Sequence, residues 1–588
     1  MEQVFIIKDL GLGTEIIQEQ IEKSVRDLFQ KLNYDDFVIK TDAVLDNKLT
    51  DINNDNFKTR KRIFIPTILN AESAYSYDGV EKSIKCYLNF LWNHVTDFSI
   101  VLLGIEDKLA FYNHCKYATF LRCPNVDYIY NNINDINDYC SVYKEVEPFK
   151  LKDAKDFLKY LNIVPPSSYK THHSIANEWA VNRWINMFDW TGLNKPIIEN
   201  TSLINSLYFK YLLVESEIRI QNWKKKNKKT IREDGFDKKR IIYIDDEASK
   251  GWADLLSAIF KQSGAEFIVC PFDEAQNISK KELIGRIKSF IAEEEANGGA
   301  DCYLIDLRLH EDDFDDSLDF KRLTGHEITS YIKEKNSGNQ IVIFSASNKI
   351  WNIQEAKDKN HASGYVVKES PEQHYSNDDT YRLYGEFIDN IRRACSLSYL
   401  KDIYKSLKLF DSVDEENFKE LKLLYTYPEL VALDNGNGKN AMIKACALTL
   451  ITFLESFIKE RFELDGLNLK RGDDLKSYAN RIFFEKDEDK IIQKVYCYAF
   501  DKKADVHLGL ESIDPKKNGE LPLILVALYL FYGINESSIN LVAKIKRERN
   551  TTIAHNNKNK DTILTMDELY KFFSQVIIPM LKTEYKIE

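Results

Sequence analysis

Three carboxylates, a hydroxyl and an ammonium stand at the ends of four short apolar runs between Arg240 and Lys368. Ile241-Ile242-Tyr243-Ile244 leads into Asp245-Asp246, and Leu304-Ile305 into Asp306. Ile341-Val342-Ile343-Phe344 leads into Ser345-Ala346, and Tyr365-Val366-Val367 into Lys368. Each run has the pattern of a buried parallel strand that delivers a side chain to its C-terminal edge. Ligands of open α/β sheets sit at that edge. Three crowded carboxylates repel one another unless a hard divalent cation neutralises them, and oxygen ligands with retained waters suit Mg²⁺. Such a crevice could accept a phosphoryl group on Asp306.

The order of these residues resembles the receiver domain of two-component response regulators, over roughly a quarter of the chain. The resemblance implies that Asp245, Asp246 and Asp306 hold Mg²⁺ and that Asp306 is the phosphoacceptor. It also implies that Ser345 hydrogen-bonds the phosphoryl group, that Lys368 pairs with it and that Tyr365 is an aromatic switch. Two features depart from the family. Its proline after the lysine is Glu369 here, and an acidic insertion (Glu311, Asp312, Asp313, Asp315, Asp316, Asp319) separates Leu309 from Gly325.

A second constellation lies near the end, Arg549-Asn550-Thr551-Thr552-Ile553-Ala554-His555. An arginine, a polar neighbour, a short spacer and a histidine resemble the motif of HEPN ribonucleases, helical-bundle proteins common in bacterial defence systems. Metal-independent RNA cleavage uses the 2′-hydroxyl as nucleophile on the adjacent phosphate. It needs imidazole to move protons near neutral pH and guanidinium to meet the growing phosphorane charge. By that resemblance Arg549 stabilises charge, His555 is general acid or base, Asn550 positions, and no metal is required. His555 follows Arg549 by six positions, about 120° apart on an ideal helix, so the pair needs a bend. The β-branched Thr551 and Thr552 are suited to one. In the family two motifs meet across a dimer, which implies a homodimer here. The alternative is that Arg549 and Asn550 only end a helix.

These residues require elements to hold them. The fold class expected is multidomain α/β plus all-α. An α/β sensor or receiver-like module covers 1–164, and a helical connector with a basic linker covers 165–236. A doubly wound (βα)5 receiver covers 237–396 and a HEPN-like helical bundle 397–588. In the first module Val4–Ile7, Ile63–Pro66, Ser99–Leu103 and Val126–Ile129 read as strands, with an amphipathic helix over Thr14–Leu32. Gly11-Leu12-Gly13 lacks a third glycine and a ribose-binding acid, so a dinucleotide loop is not expected. In the connector, Ile175, Trp179 and Met187 mark a packing face. His173 suggests a phosphohistidine donor, but the glycine boxes of a kinase are missing, which favours a structural histidine. The basic run Lys224, Lys225, Lys226, Lys228, Lys229, Arg232, Lys238, Lys239, Arg240 reads as linker rather than as an RNA contact. Helices are expected over Ala441–Phe462 (Leu448, Ile451, Leu454 and Ile458 inward), Asp474–Phe483, Leu523–Tyr532, Ser537–Arg549 and Met566–Leu581.

With 588 residues, 44% hydrophobic and 29% charged, the chain can bury several cores. A net charge of −11 argues against wholesale polyanion binding and leaves only local RNA contact. Nine scattered cysteines without CxxC pairs suit a reducing cytoplasm. His114, Cys115 and Cys123 have poor ligand spacing and read as structural. No signal peptide and no membrane span are expected, because the longest apolar run, Leu521–Ile534, is too short to cross a bilayer. The reading is a cytoplasmic, phosphorylation-regulated endoribonuclease of bacterial antiphage defence or stress signalling. Its partners are an RNA substrate and a separate histidine kinase or phosphodonor protein. The rival is an adaptor whose receiver docks a kinase and whose bundle dimerises or binds RNA.

Overall fold

The computed structural model describes residues 2–7, 38–42, 60–69, 77–92, 95–130, 132–142, 146–151, 169–188, 233–272, 278–314, 320–346, 362–371, 375–413, 415–432, 439–465, 468–477, 481–486, 492–497, 520–550 and 564–587, with isolated positions elsewhere. Of the expected helix over Thr14–Leu32 only Glu19, Lys23, Arg26 and Asp27 are described, all helical, while most of the basic run, His555 and the His173 side chain lie outside the described residues.

The chain is a mixed α/β protein with two five-stranded parallel sheets and a largely helical C-terminal part. The first sheet contains β1 (Glu2–Ile7), β2 (Val38–Asp42), β3 (Arg60–Pro66), β4 (Phe98–Gly104) and β5 (Val126–Tyr130), in the order β2-β1-β3-β4-β5. Alternate residues of each strand pack on opposite sides. Phe5, Ile63 and Leu102 meet α1 (Asp78–Trp92), whereas Val4, Ile6 and Val101 meet α3 (Ile133–Ser141). Between them, α2 (Lys108–His114) is capped by Asp107, whose side chain accepts from the amides of Leu109 and Ala110.

The connector helix α4 (Tyr169–Met187) precedes the second sheet, β6 (Arg240–Ile244), β7 (Glu266–Val269), β8 (Cys302–Ile305), β9 (Ile341–Ser345) and β10 (Gly364–Val367). Its order, β10-β9-β8-β6-β7, is the order of the first sheet read from the other edge. Side-chain alternation again feeds two cores. Ile241, Tyr243, Leu304 and Phe344 pack under α5 (Trp252–Gln262) and α8 (Asn377–Ser396). Ile242, Ile244, Ile305 and Ile343 pack under α6 (Lys280–Ala296) and α7 (Thr324–Lys335). Helix α4 is not a free connector. Trp184, fully buried, sits with its ring 5.1 to 6.0 Å from those of Trp252, Phe344, Tyr384 and Phe387, so α4 fills the groove between α5 and α8.

The C-terminal part is built on α9 (Leu400–Lys408), α10 (Glu415–Ala432), α11 (Lys439–Lys459), α12 (Glu520–Leu530), α13 (Glu536–Glu548), α14 (Met566–Phe572) and α15 (Ile578–Tyr585) around one core. By length and composition α11 could cross a membrane, but Ala447, Leu450, Ile451, Leu454 and Ile458 are buried against the other helices. Three expectations need correction. Five short strands interrupt the bundle, β11 (Glu463–Asp465), β12 (Asn468–Arg471), β13 (Asp474–Ser477), β14 (Ile482–Lys486) and β15 (Ile492–Cys497). The expected helix over Asp474–Phe483 therefore falls on two strands of separate antiparallel sheets. Leu448 is 42% exposed, because the helical period puts Ala447 and Leu450 inward instead.

Where the helical part meets the second sheet, it does so at the N-terminal edge of the strands. The Asn336 side-chain amide donates to the Lys401 carbonyl (3.0 Å), and Lys401 Nζ donates to the Ala300 carbonyl (2.7 Å). A Cβ on Gly338 would come within 2.4 Å of the Leu400 backbone, so only glycine allows this approach. Two cations at the described end of the basic run are paired: Lys239 with Asp301, and Arg240 with Glu266 and Glu294. None of the nine cysteines forms a disulfide, and eight are buried. Burial pushes the Cys115 thiol up to about 11 and Cys123 up to about 12, while His114 binds Glu106 rather than either sulfur.

Candidate functional site

The four strand ends meet where the sequence places them. Backbone pairing sets the site first: the Asp306 amide donates to the Ile244 carbonyl (3.0 Å), and the Lys368 amide to the Ser345 carbonyl (2.9 Å). On that frame Lys368 Nζ bridges Asp306 Oδ2 (2.6 Å) and Asp245 Oδ2 (2.5 Å). Ser345 Oγ donates to Asp306 Oδ1 at 2.7 Å, and the Arg308 amide donates to the same oxygen at 3.1 Å. Asp245 also accepts from the Tyr243 hydroxyl and from the Glu247 amide (2.8 Å). Asp245, Asp306, Ser345 and Lys368 are each at most 2% exposed. Phe344 and Trp252 wall the ammonium, with ring centroids 5.4 and 5.9 Å from Nζ. Tyr365, the expected aromatic switch, is buried with the α6–α7 core.

Burial raises the cost of every charge here, and the partners decide which group carries one. Asp306 is disfavoured by burial, yet the Lys368 charge and the bonds from Lys368, Ser345 and Arg308 hold it below the usual carboxylate range. Asp245 stays raised, because burial outweighs Lys368. Asp246 lies well above its ordinary value through burial and then the charges of Asp245 and Asp306. Lys368 is lowered by burial but raised further by the two carboxylates, so it is firmly an ammonium.

A divalent cation fits these residues. One oxygen from each of Asp245, Asp246 and Asp306 lies within 4.8 Å of the others. Asp246 Oδ1 is buried with no hydrogen-bond partner, an acceptor aimed at nothing in the protein. Because Asp246 is raised, its ionisation must accompany cation binding. Its native pKa exceeds its unfolded one, so the stability it contributes is complete below the ordinary carboxylate range. That contribution is lost as pH rises through the raised value. A cation held by these carboxylates would gain affinity over the same interval. Calorimetry of Mg²⁺ binding just above the ordinary carboxylate range, in buffers of different ionisation enthalpy, should show proton release, and equal heats would contradict this.

One acid of the insertion is built into the fold, while Glu311 and Asp312 beside it are exposed. Asp313, 1% exposed, accepts from the amides of Leu309, His310 and Thr324, from the Thr324 hydroxyl and from Lys280. It pins the segment that follows Asp306. A Cβ on Gly325 would lie 2.1 Å from the Asp306 carbonyl oxygen, which keeps α7 close under the site. Sequence reasoning missed Asp313 as a hub, and also Glu369. In the first sheet, the residue after β3, where Asp306 follows β8, is Thr67.

Of the second constellation, Arg549 and Asn550 are described. Helix α13 widens into a π turn at these two residues, the kind of local irregularity that functional sites often use. Arg549 Nη1 donates to Asn550 Oδ1 (3.0 Å), and Nη2 lies 3.6 Å from Glu455 Oε2 on α11. Lys546 pairs with the same carboxylate and lies 3.7 Å from Glu520. Arg549 Nε is buried without a hydrogen-bond partner. Glu455 and Lys546 were not legible in the sequence, because their pairing crosses between helices far apart in the chain.

No protein-family model and no curated protein matches the chain. Among solved structures, an ABC transporter substrate-binding protein from Desulfitobacterium hafniense is 8% identical over 68% of this chain and 89% of its own, with a TM-score of 0.15. The Francisella novicida lysine decarboxylase LdcF is 11% identical over 74% of this chain and 62% of its own, also with a TM-score of 0.15. Similarity this low carries no argument about fold or function.

Proposed function

We propose that the protein is a phosphorylation-regulated ribonuclease in which an aspartyl-phosphate receiver over 237–396 controls a HEPN-type site in the helical part over 397–588. The observation that carries the receiver reading is the buried Lys368–Asp306–Ser345 triad beside the unsatisfied Asp246 oxygen. Asp306 attacks the phosphorus of a phosphodonor through a carboxylate oxygen, and the donor's leaving group departs with its electron pair. Lys368 and Ser345, already in contact with both Asp306 oxygens, move to the phosphoryl oxygens and stabilise their charge. Asp245, Asp246 and Asp306 hold the Mg²⁺, which supplies neutralisation of the incoming phosphoryl group. The donor is a separate kinase or a small phosphodonor.

In the nuclease site Arg549 takes the phosphorane charge, Asn550 orients it and His555 moves the proton from the 2′-hydroxyl or to the leaving 5′-oxygen. Support comes from the π turn that bears Arg549 and from its buried, unpartnered Nε. A homodimer would supply the second motif. The defence or stress-signalling role follows from the resemblance to HEPN ribonucleases alone. One observation favours the adaptor reading: Glu455 already neutralises Arg549. The test is RNA cleavage by purified protein, with and without acetyl phosphate and Mg²⁺. Cleavage that changes between the two states supports the proposal, and an inert protein in both states selects the adaptor.

A further inference from the structure

Helix α4 grips the second sheet at the two residues that directly follow site residues. On one side Ser174 hydrogen-bonds the Glu247 side chain, next to Asp246. On the other, Trp184 Nε1 donates to Glu369 Oε2 (3.2 Å), and Arg183 Nε lies 3.4 Å from the same oxygen, next to Lys368. Thr380, in the first turn of α8, ties the second grip together. Its hydroxyl donates to Glu369 Oε1 and accepts from Arg183 Nη2 (2.8 Å). Between the grips, Trp252 Nε1 donates to Asn177 Oδ1 (2.9 Å). Glu369 and Arg183 are 2% and 4% exposed, so this is a desolvated ion pair whose partners depend on one another.

We propose that α4 is a built-in reader of the acidic pocket, released when Asp306 is phosphorylated. The inference rests on the phosphoryl-acceptor reading of that pocket and names how it is regulated. Lys368 and Glu369 are consecutive and project to opposite sides, one into the pocket and one onto α4. When Lys368 leaves Asp245 and Asp306 for a phosphoryl group, its backbone carries Glu369 away from Arg183, Trp184 and Thr380. Glu247 moves likewise as Asp246 turns to the cation. Freed from both grips, α4 leaves the α5–α8 groove. Helix α8 begins at the Thr380 latch and ends beside α9 at the opposite strand edge; its 20 residues span about 30 Å. It therefore links the event to the helical part.

The experiment is hydrogen exchange of the α4 amides in the full chain, with Mg²⁺ plus beryllium fluoride as the acyl-phosphate stand-in and with Mg²⁺ alone. Probe binding is followed by calorimetry. The expected result is exchange in α4 faster by roughly fivefold or more, the lower end of ordinary allosteric coupling. Glu369→Gln and Thr380→Val should then bind the probe more tightly by the same factor while α4 exchanges fast from the outset, as reciprocity requires. Probe binding with α4 exchange unchanged or slowed overturns the reader and leaves the pocket intact. No probe binding at all overturns the pocket reading and the reader with it.

Discussion

Lys368→Met should lower the stability of the metal-free protein by about 3–5 kcal/mol, the cost of stripping a buried charge cluster of its cation. Lys368 is fully buried and bridges two buried carboxylates. Methionine has a similar length, so little packing is lost, and the penalty falls on Asp245 and Asp306. In a chain of several folding units the effect belongs to the transition that includes the second sheet, and a shift of about 10 °C is expected there. Two controls identify the cause. Asp306→Asn in the Lys368→Met background should recover much of the loss, a coupling that neighbours in one charge network must show. Mg²⁺ should also restore stability, since a cation then replaces the ammonium. A Met variant as stable as the parent would remove the electrostatic account of the site.

Arg549→Ala should reduce RNA cleavage by about 10²–10³-fold while leaving the fold in place, the usual consequence of deleting one preorganised charge-stabilising donor. Glu455 retains Lys546 as its partner, so the substitution leaves no unpaired carboxylate behind. Arg549→Lys should not rescue, because an ammonium cannot offer two parallel donors to a phosphate. Cleavage must therefore be measured beside a melting curve: loss of activity with an unchanged melting point supports a chemical role. Unaltered cleavage by Arg549→Ala would leave the helical part without its proposed chemistry.

The strand ends were legible because β6, β8, β9 and β10 are short runs of β-branched and aromatic residues broken by one polar residue. Backbone pairing then forces those breaks to one edge. Strand β7 escaped notice as a four-residue edge strand opening on exposed Glu266. The strands β11 to β13 escaped because they bury almost nothing: Leu469 is the one buried residue of the three, and β13 is exposed throughout, so they read as polar loop or helix. The π turn at Arg549 and Asn550 carries no sequence signal of its own, and the bend expected at Thr551 and Thr552 lies outside the described residues. What the sequence could not disclose is pairing across distance. Glu369 was visible as a departure from the receiver pattern, but its tie to Arg183, 186 positions earlier, exists only in the folded chain. The same holds for Asp313, whose five donors turn an apparently solvated acid into the clasp of a loop.

Phosphoryl transfer to Asp306 in a cation-filled pocket is the step on which the regulation proposed here depends. Intact-protein mass spectrometry after incubation with acetyl phosphate tests it most directly, with and without Mg²⁺, for the parent chain and Asp306→Asn. The expected result is a gain of one phosphoryl group that needs Mg²⁺, is labile in base and vanishes in Asp306→Asn. An unmodified parent chain, or a modification that survives Asp306→Asn, would contradict it.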